Sequence, residues 1–154
     1  MNATTETRRG APRSRAAVEL DSRLLVAGIA TFAAVELGVA IFMAFAPHLF
    51  YTSIGPFGMR NDHYLRDVAS FSAALGVGAA ISIRRPAWRI PVLAITALQF
   101  ALHSVNHLLD IGRADPGWIG YLDFFLLAAA TLQLVWLMRL AARTSPITSE
   151  GERR

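Results

Sequence analysis

Four long apolar runs dominate the sequence and limit what it can fold into. They cover residues 24–46, 64–83, 90–109 and 118–138, and each contains at least 20 residues. A helix needs about 20 residues to cross the roughly 30 Å hydrocarbon layer of a bilayer. We therefore predict an all-α protein, an antiparallel four-helix transmembrane bundle within residues 24–141. The flanking segments, 1–23 and 142–154, are predicted to be disordered cytoplasmic tails.

The runs differ in how readily they insert into a membrane. The first contains one ionisable residue, Glu36, whose cost of about 3 kcal/mol is smaller than the gain from the many large apolar residues around it. The second contains fewer such residues and starts with Arg66 and Asp67. We expect it to be the weakest span and to depend on its neighbours.

The distribution of basic residues predicts the orientation. All 15 are arginine, and the chain has no cysteine, which excludes disulfides and zinc-thiolate sites. If both termini are cytoplasmic, that side receives Arg8, Arg9, Arg13, Arg15, Arg23, Arg84, Arg85, Arg89, Arg139, Arg143, Arg153 and Arg154. Only Arg60, Arg66 and Arg113 then face outward, as the positive-inside rule requires. The basic composition therefore indicates the topology of a multi-pass membrane protein, with the lipid bilayer and not a nucleic acid as its partner.

The connections between the runs carry helix-terminating and helix-capping residues. Pro47 is predicted to end the first helix, and Asn61 or Asp62 to cap the second. We expect residues 47–60 to form a loop over the outer opening of the bundle. Small residues recur at four-residue spacing, as Ala30, Ala34 and Gly38 and as Ser72, Gly76 and Ala80. Such rows allow close helix approach, either within one chain or in a homo-oligomer.

Polar residues inside the spans are the candidates for chemistry. In the third run they form one stripe of a helix: Thr96, Gln99, His103, Asn106, His107 and Asp110. Contact with lipid would cost several kcal/mol, so the stripe is expected to face the interior of the bundle. Other runs supply ionisable residues at similar depth: Glu36, His63, Asp67 and Asp123. We expect them to share one pocket in the outer half of the bundle.

Three interpretations of this pocket stay open. In the first it binds a divalent metal: His103 and His107 share a helix face, as do His63 and Asp67, and such ligands suit zinc, iron or copper. Haem is less favoured, because two axial histidines would require His63 to pair with a residue of the third run.

The second interpretation is a membrane-embedded acid–base enzyme of the isomerase or cyclase type, acting on a hydrophobic small molecule. Glu36 and Asp123 are then the catalytic residues, and Gln99, Asn106 and Arg66 bind the ligand. Arg66 is also spaced to pair with Asp62 on the helix surface. In the third interpretation the polar residues only bond helices together, as in a structural or accessory subunit.

Two segments resemble a known family. Asn61-Asp62-His63-Tyr64-Leu65-Arg66-Asp67, followed by Ala73-Ala74-Leu75-Gly76, starts the second span, and His103-Ser104-Val105-Asn106-His107-Leu108-Leu109 ends the third. With them the chain resembles the small DoxX-like four-span bacterial membrane proteins of actinobacterial type, over roughly residues 24–140. The resemblance implies an inner-membrane four-helix bundle without an established activity.

Overall fold

The computed structural model describes residues 14–144, which are almost entirely helical. The helices are α1 (Arg15–Phe45), α2 (Pro47–Ser53), α3 (Asp62–Arg84), α4 (Arg89–Leu109) and α5 (Trp118–Thr144), with a 3₁₀ turn at Pro86–Trp88. Within residues 14–144 there is no strand, only an isolated antiparallel bridge between Phe57 and Ala114. The all-helical prediction is confirmed.

Four of the helices are long and apolar enough to cross a membrane, as the runs predict. They are α1, α3, α4 with its preceding turn, and α5, and α3 has the lowest mean hydropathy of the four. This agrees with the expectation that the second span is the weakest. The fold is a helical bundle, and its exposed apolar surfaces are consistent with contact to lipid.

The helix boundaries follow from local chemistry. The Ser14 hydroxyl caps α1 by accepting the Ala17 N–H at 3.3 Å, so α1 begins inside the segment predicted to be a tail. The rest of the predicted tails, 1–13 and 145–154, lies outside the described residues. The Asn61 side chain caps α3 by accepting the N–H groups of His63 and Tyr64, each at 3.1 Å. The cap prediction is therefore confirmed.

The predicted loop at 47–60 is partly helical, which corrects the sequence interpretation. Pro47 ends α1 but also starts α2, because proline has a backbone φ suited to a first helical turn. Residues 54–61 and 110–117 then meet through the Phe57–Ala114 bridge and a bond from the Asp115 N–H to the Pro56 carbonyl at 3.3 Å. We call this end of the bundle the loop end, and the end at residues 85–88 the turn end.

The apolar core occupies the half of the bundle nearer the turn end. Its largest members are Leu25, Ile29, Phe32, Leu93, Phe100, Leu134, Leu137 and Leu140. The Phe32 and Phe100 rings meet edge to face with centroids 5.5 Å apart. Lipid is as apolar as leucine, so in a membrane this core stabilises the bundle mainly by close packing. At the turn itself, Arg89 donates to the Ser82 and Ile83 carbonyls at the end of α3, at 3.3 and 3.2 Å.

The helices pair unequally around the bundle. α1 packs most extensively on α3, and α4 on α5, whereas the α3–α4 and α1–α5 contacts are smaller. The close α1–α3 contact depends on Gly76, since a Cβ there would lie 2.9 Å from the Leu37 Cγ. Of the predicted row on α3, Ser72 and Gly76 thus face α1, whereas Ala80 is exposed. The row Ala30, Ala34 and Gly38 is exposed.

Candidate functional site

An open cleft of about 800 Å³ lies between α3 and α4 in the loop-end half of the bundle. It exists because α3 and α4 are joined by a short turn at one end and pack little on each other. Its walls consist of Phe57 from the loop end, Tyr64, Asp67, Val68 and Phe71 from α3, and Gln99, Leu102, His103, Asn106, His107, Leu109 and Asp110 from α4. The polar stripe predicted for the third run therefore forms one wall of this cleft, except for Thr96, which is buried and donates to the Val92 carbonyl at 2.7 Å.

Two histidines of the stripe are in direct contact. The Nε2 atoms of His103 and His107 are 3.1 Å apart, and the ring centroids are 4.8 Å apart. The contact follows from the sequence, because residues four apart lie on one face of a helix. Both rings are only partly exposed and both line the cleft.

The other ring nitrogen of His107 points towards α5. Its Nδ1 atom is 3.9 Å from Asp123 Oδ2, and the two side chains are only 17% and 13% exposed. Nδ1 is buried and has no hydrogen-bond partner among residues 14–144. A carboxylate accepts hydrogen bonds and donates none, so Asp123 favours the His107 tautomer with its proton on Nδ1. That tautomer leaves a lone pair on His107 Nε2, beside His103 and the cleft.

The loop end contributes an aromatic contact that the sequence analysis did not identify. The Phe57 ring meets the His107 imidazole edge to face, with centroids 4.9 Å apart and planes at 86°. The bridge to Ala114 holds Phe57 in this position. In the sequence, the only indication of this contact is an aromatic residue between Pro56 and Gly58, which does not show that His107 is its partner.

The predicted ligand-binding residues separate into two groups. Gln99 and Asn106 line the cleft, and Gln99 Oε1 is buried without a hydrogen-bond partner among the described residues. Arg66 is exposed and is not part of the cleft wall. Its expected partner Asp62 forms an ion pair with Arg60 instead, with Nε and Oδ1 2.8 Å apart.

The predicted pair on α3 lies at the edge of the site. His63 Nε2 is 3.5 Å from Asp67 Oδ2, but the side chains are 86% and 64% exposed. Asp67 lines the cleft and His63 does not. The structure thus brings Asp67 to the same cleft as the histidine pair of α4 and leaves His63 on the outside.

Glu36 lies apart from the cleft. It is buried between α1 and α3, where its Cβ approaches Gly76 and its carboxyl group has the Ser72 hydroxyl as a polar neighbour. The structure therefore does not gather Glu36 and Asp123 into the one pocket that we expected. Of the two predicted catalytic carboxyl groups, only Asp123 is next to the histidines.

The arrangement has two chemical capacities. His103 and His107 can share a proton between their Nε2 atoms, 3.1 Å apart, and Asp123, 3.9 Å from His107 Nδ1, can favour one His107 tautomer. Within residues 14–144 no group of three or more His, Asp or Glu side chains is arranged to hold a metal ion. The comparisons with known proteins give no match to a family, to a curated protein or to a solved structure.

Proposed function

We propose that the chain is a multi-pass protein of a bacterial inner membrane, an antiparallel bundle with both termini in the cytoplasm, and that it is a DoxX-like protein. The arginine distribution supports this orientation. Arg84, Arg85 and Arg89 lie at the turn end, whereas Arg60 and Arg113 lie at the loop end. The tails add further arginines to the cytoplasmic side. In this orientation the cleft opens in the outer half of the membrane.

We further propose that the cleft binds a small amphipathic molecule from the outer leaflet. The observation that carries this is an open cleft of about 800 Å³ with a polar stripe on one wall. Pockets of about 300–1,000 Å³ with apolar walls and a few polar groups are typical small-molecule sites. A cleft between neighbouring helices opens to the side of the bundle, so molecules dissolved in lipid can reach it. Gln99, Asn106 and the histidines supply hydrogen bonds to the polar group of the ligand, and Phe71 and Leu102 contact its apolar part.

A pair of leucine substitutions tests the ligand site. Leu102 lines the cleft and is 59% exposed, whereas Leu98 is 62% exposed one turn away and does not line it. Leu102→Trp should fill the cleft, and Leu98→Trp should only contact lipid. Mass spectrometry of organic extracts from detergent-purified protein should then detect a small molecule that copurifies with wild type and Leu98→Trp but is reduced at least about tenfold in Leu102→Trp. Equal amounts in all three proteins would exclude the cleft as the binding site.

A second candidate function is acid–base catalysis on the bound molecule. The position of Asp123 beside His107 Nδ1 favours it, because a carboxylate there selects the tautomer with a lone pair on Nε2, and that lone pair can abstract a proton once its contact with His103 is released. His107 is then the base, and Asp123 is a positioning residue. Glu36 has no part in this step.

A further inference from the structure

We propose that His103 and His107 bind one divalent transition metal ion through their Nε2 atoms, on the wall of the α3–α4 cleft. This site does not depend on the organic ligand proposed above. Imidazole nitrogen suits zinc, copper, iron and nickel. The proposed ion is a metal of this class. Two protein ligands hold it, and its other coordination positions are open to the cleft.

The distance between the two nitrogen atoms fits a shared metal ion. Ligand nitrogens about 2.0–2.1 Å from a tetrahedral metal are about 3.3 Å from each other. His103 Nε2 and His107 Nε2 are 3.1 Å apart. Both residues belong to α4, four positions apart, so the helix places the two side chains on one face before any metal binds.

The surroundings of His107 give an independent reason. A metal on Nε2 leaves the ring proton on Nδ1, which faces the Asp123 carboxylate at 3.9 Å. Nδ1 is otherwise buried without a partner among the described residues. Ligating histidines almost always donate their second nitrogen to such an outer partner. Asp123 therefore favours the same His107 tautomer that metal binding at Nε2 requires.

The open positions face the cleft. In the described part of the chain no third His, Asp or Glu side chain completes a ligand set with the two histidines. Water or a donor atom of a bound molecule must fill the other positions. Such a metal is accessible to ligands, as in catalytic sites, and differs from a closed structural site.

Cobalt binding tests the proposal directly. The protein is purified with an affinity tag that contains no histidine, stripped with a chelator and titrated with Co²⁺ in detergent. We expect one equivalent of Co²⁺ to give visible d–d absorption bands, and Zn²⁺ to displace it. The absence of bands at millimolar Co²⁺ would overturn the proposal.

The chain offers a matched control because it has four histidines. The double variant His103→Gln, His107→Gln should weaken Co²⁺ binding at least about a hundredfold, whereas His48→Gln, His63→Gln should bind like wild type. Asp123→Asn should weaken binding about 10- to 100-fold, as is typical for loss of an outer partner. Equal weakening in both double variants, or none in the first, would contradict the assignment.

A footprint on the wild-type protein avoids any dependence on whether the variants fold. Diethyl pyrocarbonate modifies free imidazole nitrogen, and mass spectrometry of peptides reports each histidine separately. We expect saturating Co²⁺ to protect His103 and His107 at least about fivefold and to leave His48 and His63 unprotected. Protection of the second pair instead of the first would refute the proposal.

Discussion

His107 is the residue on which the candidate site depends. It contacts His103 at one ring nitrogen, approaches Asp123 at the other and packs against the edge of Phe57. These three neighbours come from α4, α5 and the loop end, so the orientation of one imidazole depends on three parts of the fold. The Asp123 carboxylate favours the His107 tautomer that carries its proton on Nδ1. This matters because metal binding and proton transfer both require a lone pair on His107 Nε2.

The tautomer of His107 is therefore a measurable property. In metal-free protein labelled with ¹⁵N-histidine, NMR at neutral pH should find the His107 proton on Nδ1. Asp123→Leu removes the carboxylate that favours this form and should change the tautomer ratio about tenfold, the equivalent of ~1.4 kcal/mol. The His107 signals are assigned by their loss in His107→Gln. An unchanged ratio in Asp123→Leu would show that Asp123 does not control the ring.

At the scale of the helices, the α1–α3 contact is the most extensive one and the α3–α4 contact is the open one. Gly76 permits the first, because its missing side chain leaves room for Leu37 and for the Glu36 Cβ. The cleft lies on the other side of α3. Close packing on one face of α3 therefore holds the helix in place while its other face leaves space beside α4.

Substitution of two glycines tests this view of α3. A Cβ at Gly76 would be 2.9 Å from Leu37 Cγ and 3.2 Å from Glu36 Cβ, whereas one at Gly38 would meet nothing within 4 Å. Gly76→Leu should lower the free energy of unfolding by about 1–3 kcal/mol, the usual cost of overpacking. Gly38→Leu should leave it unchanged or raise it, because leucine favours helix. Unfolding in mixed detergent–SDS micelles measures both, and equal stability of the two variants would contradict the packing.

The sequence allowed the helices to be predicted, but it did not identify all of their partners. Run length and proline positions predict the four long helices, and four-residue spacing predicts the His103–His107 contact. Periodicity gives the face of a residue relative to its own helix only. It could not show that Glu36 faces Ser72 across α1–α3 while Asp123 faces His107. The position of Phe57 depends on a bridge between two loops, for which the sequence has no periodic signal.

At the scale of the whole molecule, packing and polar chemistry occupy opposite halves of the bundle. The apolar core lies towards the turn end, with Leu25, Leu93 and Leu137 fully buried. The cleft, the histidine pair and Asp123 lie towards the loop end. A tightly packed half can hold the helices together while the other half stays open to ligands. Substitutions in the cleft should therefore affect binding more than stability.

This separation has a functional meaning only if the loop end faces outward, and the lack of native cysteine makes the orientation simple to test. Ser53 at the end of α2 and Ala87 in the turn are both exposed, so each can be replaced singly by cysteine. The excess of arginine at the turn end predicts that this end is cytoplasmic. In intact cells a membrane-impermeant maleimide should label Ser53→Cys, and it should label Ala87→Cys only after permeabilisation. The reverse pattern would place the cleft in the inner leaflet, and labelling of both in intact cells would contradict a bundle whose two ends lie on opposite sides of the membrane.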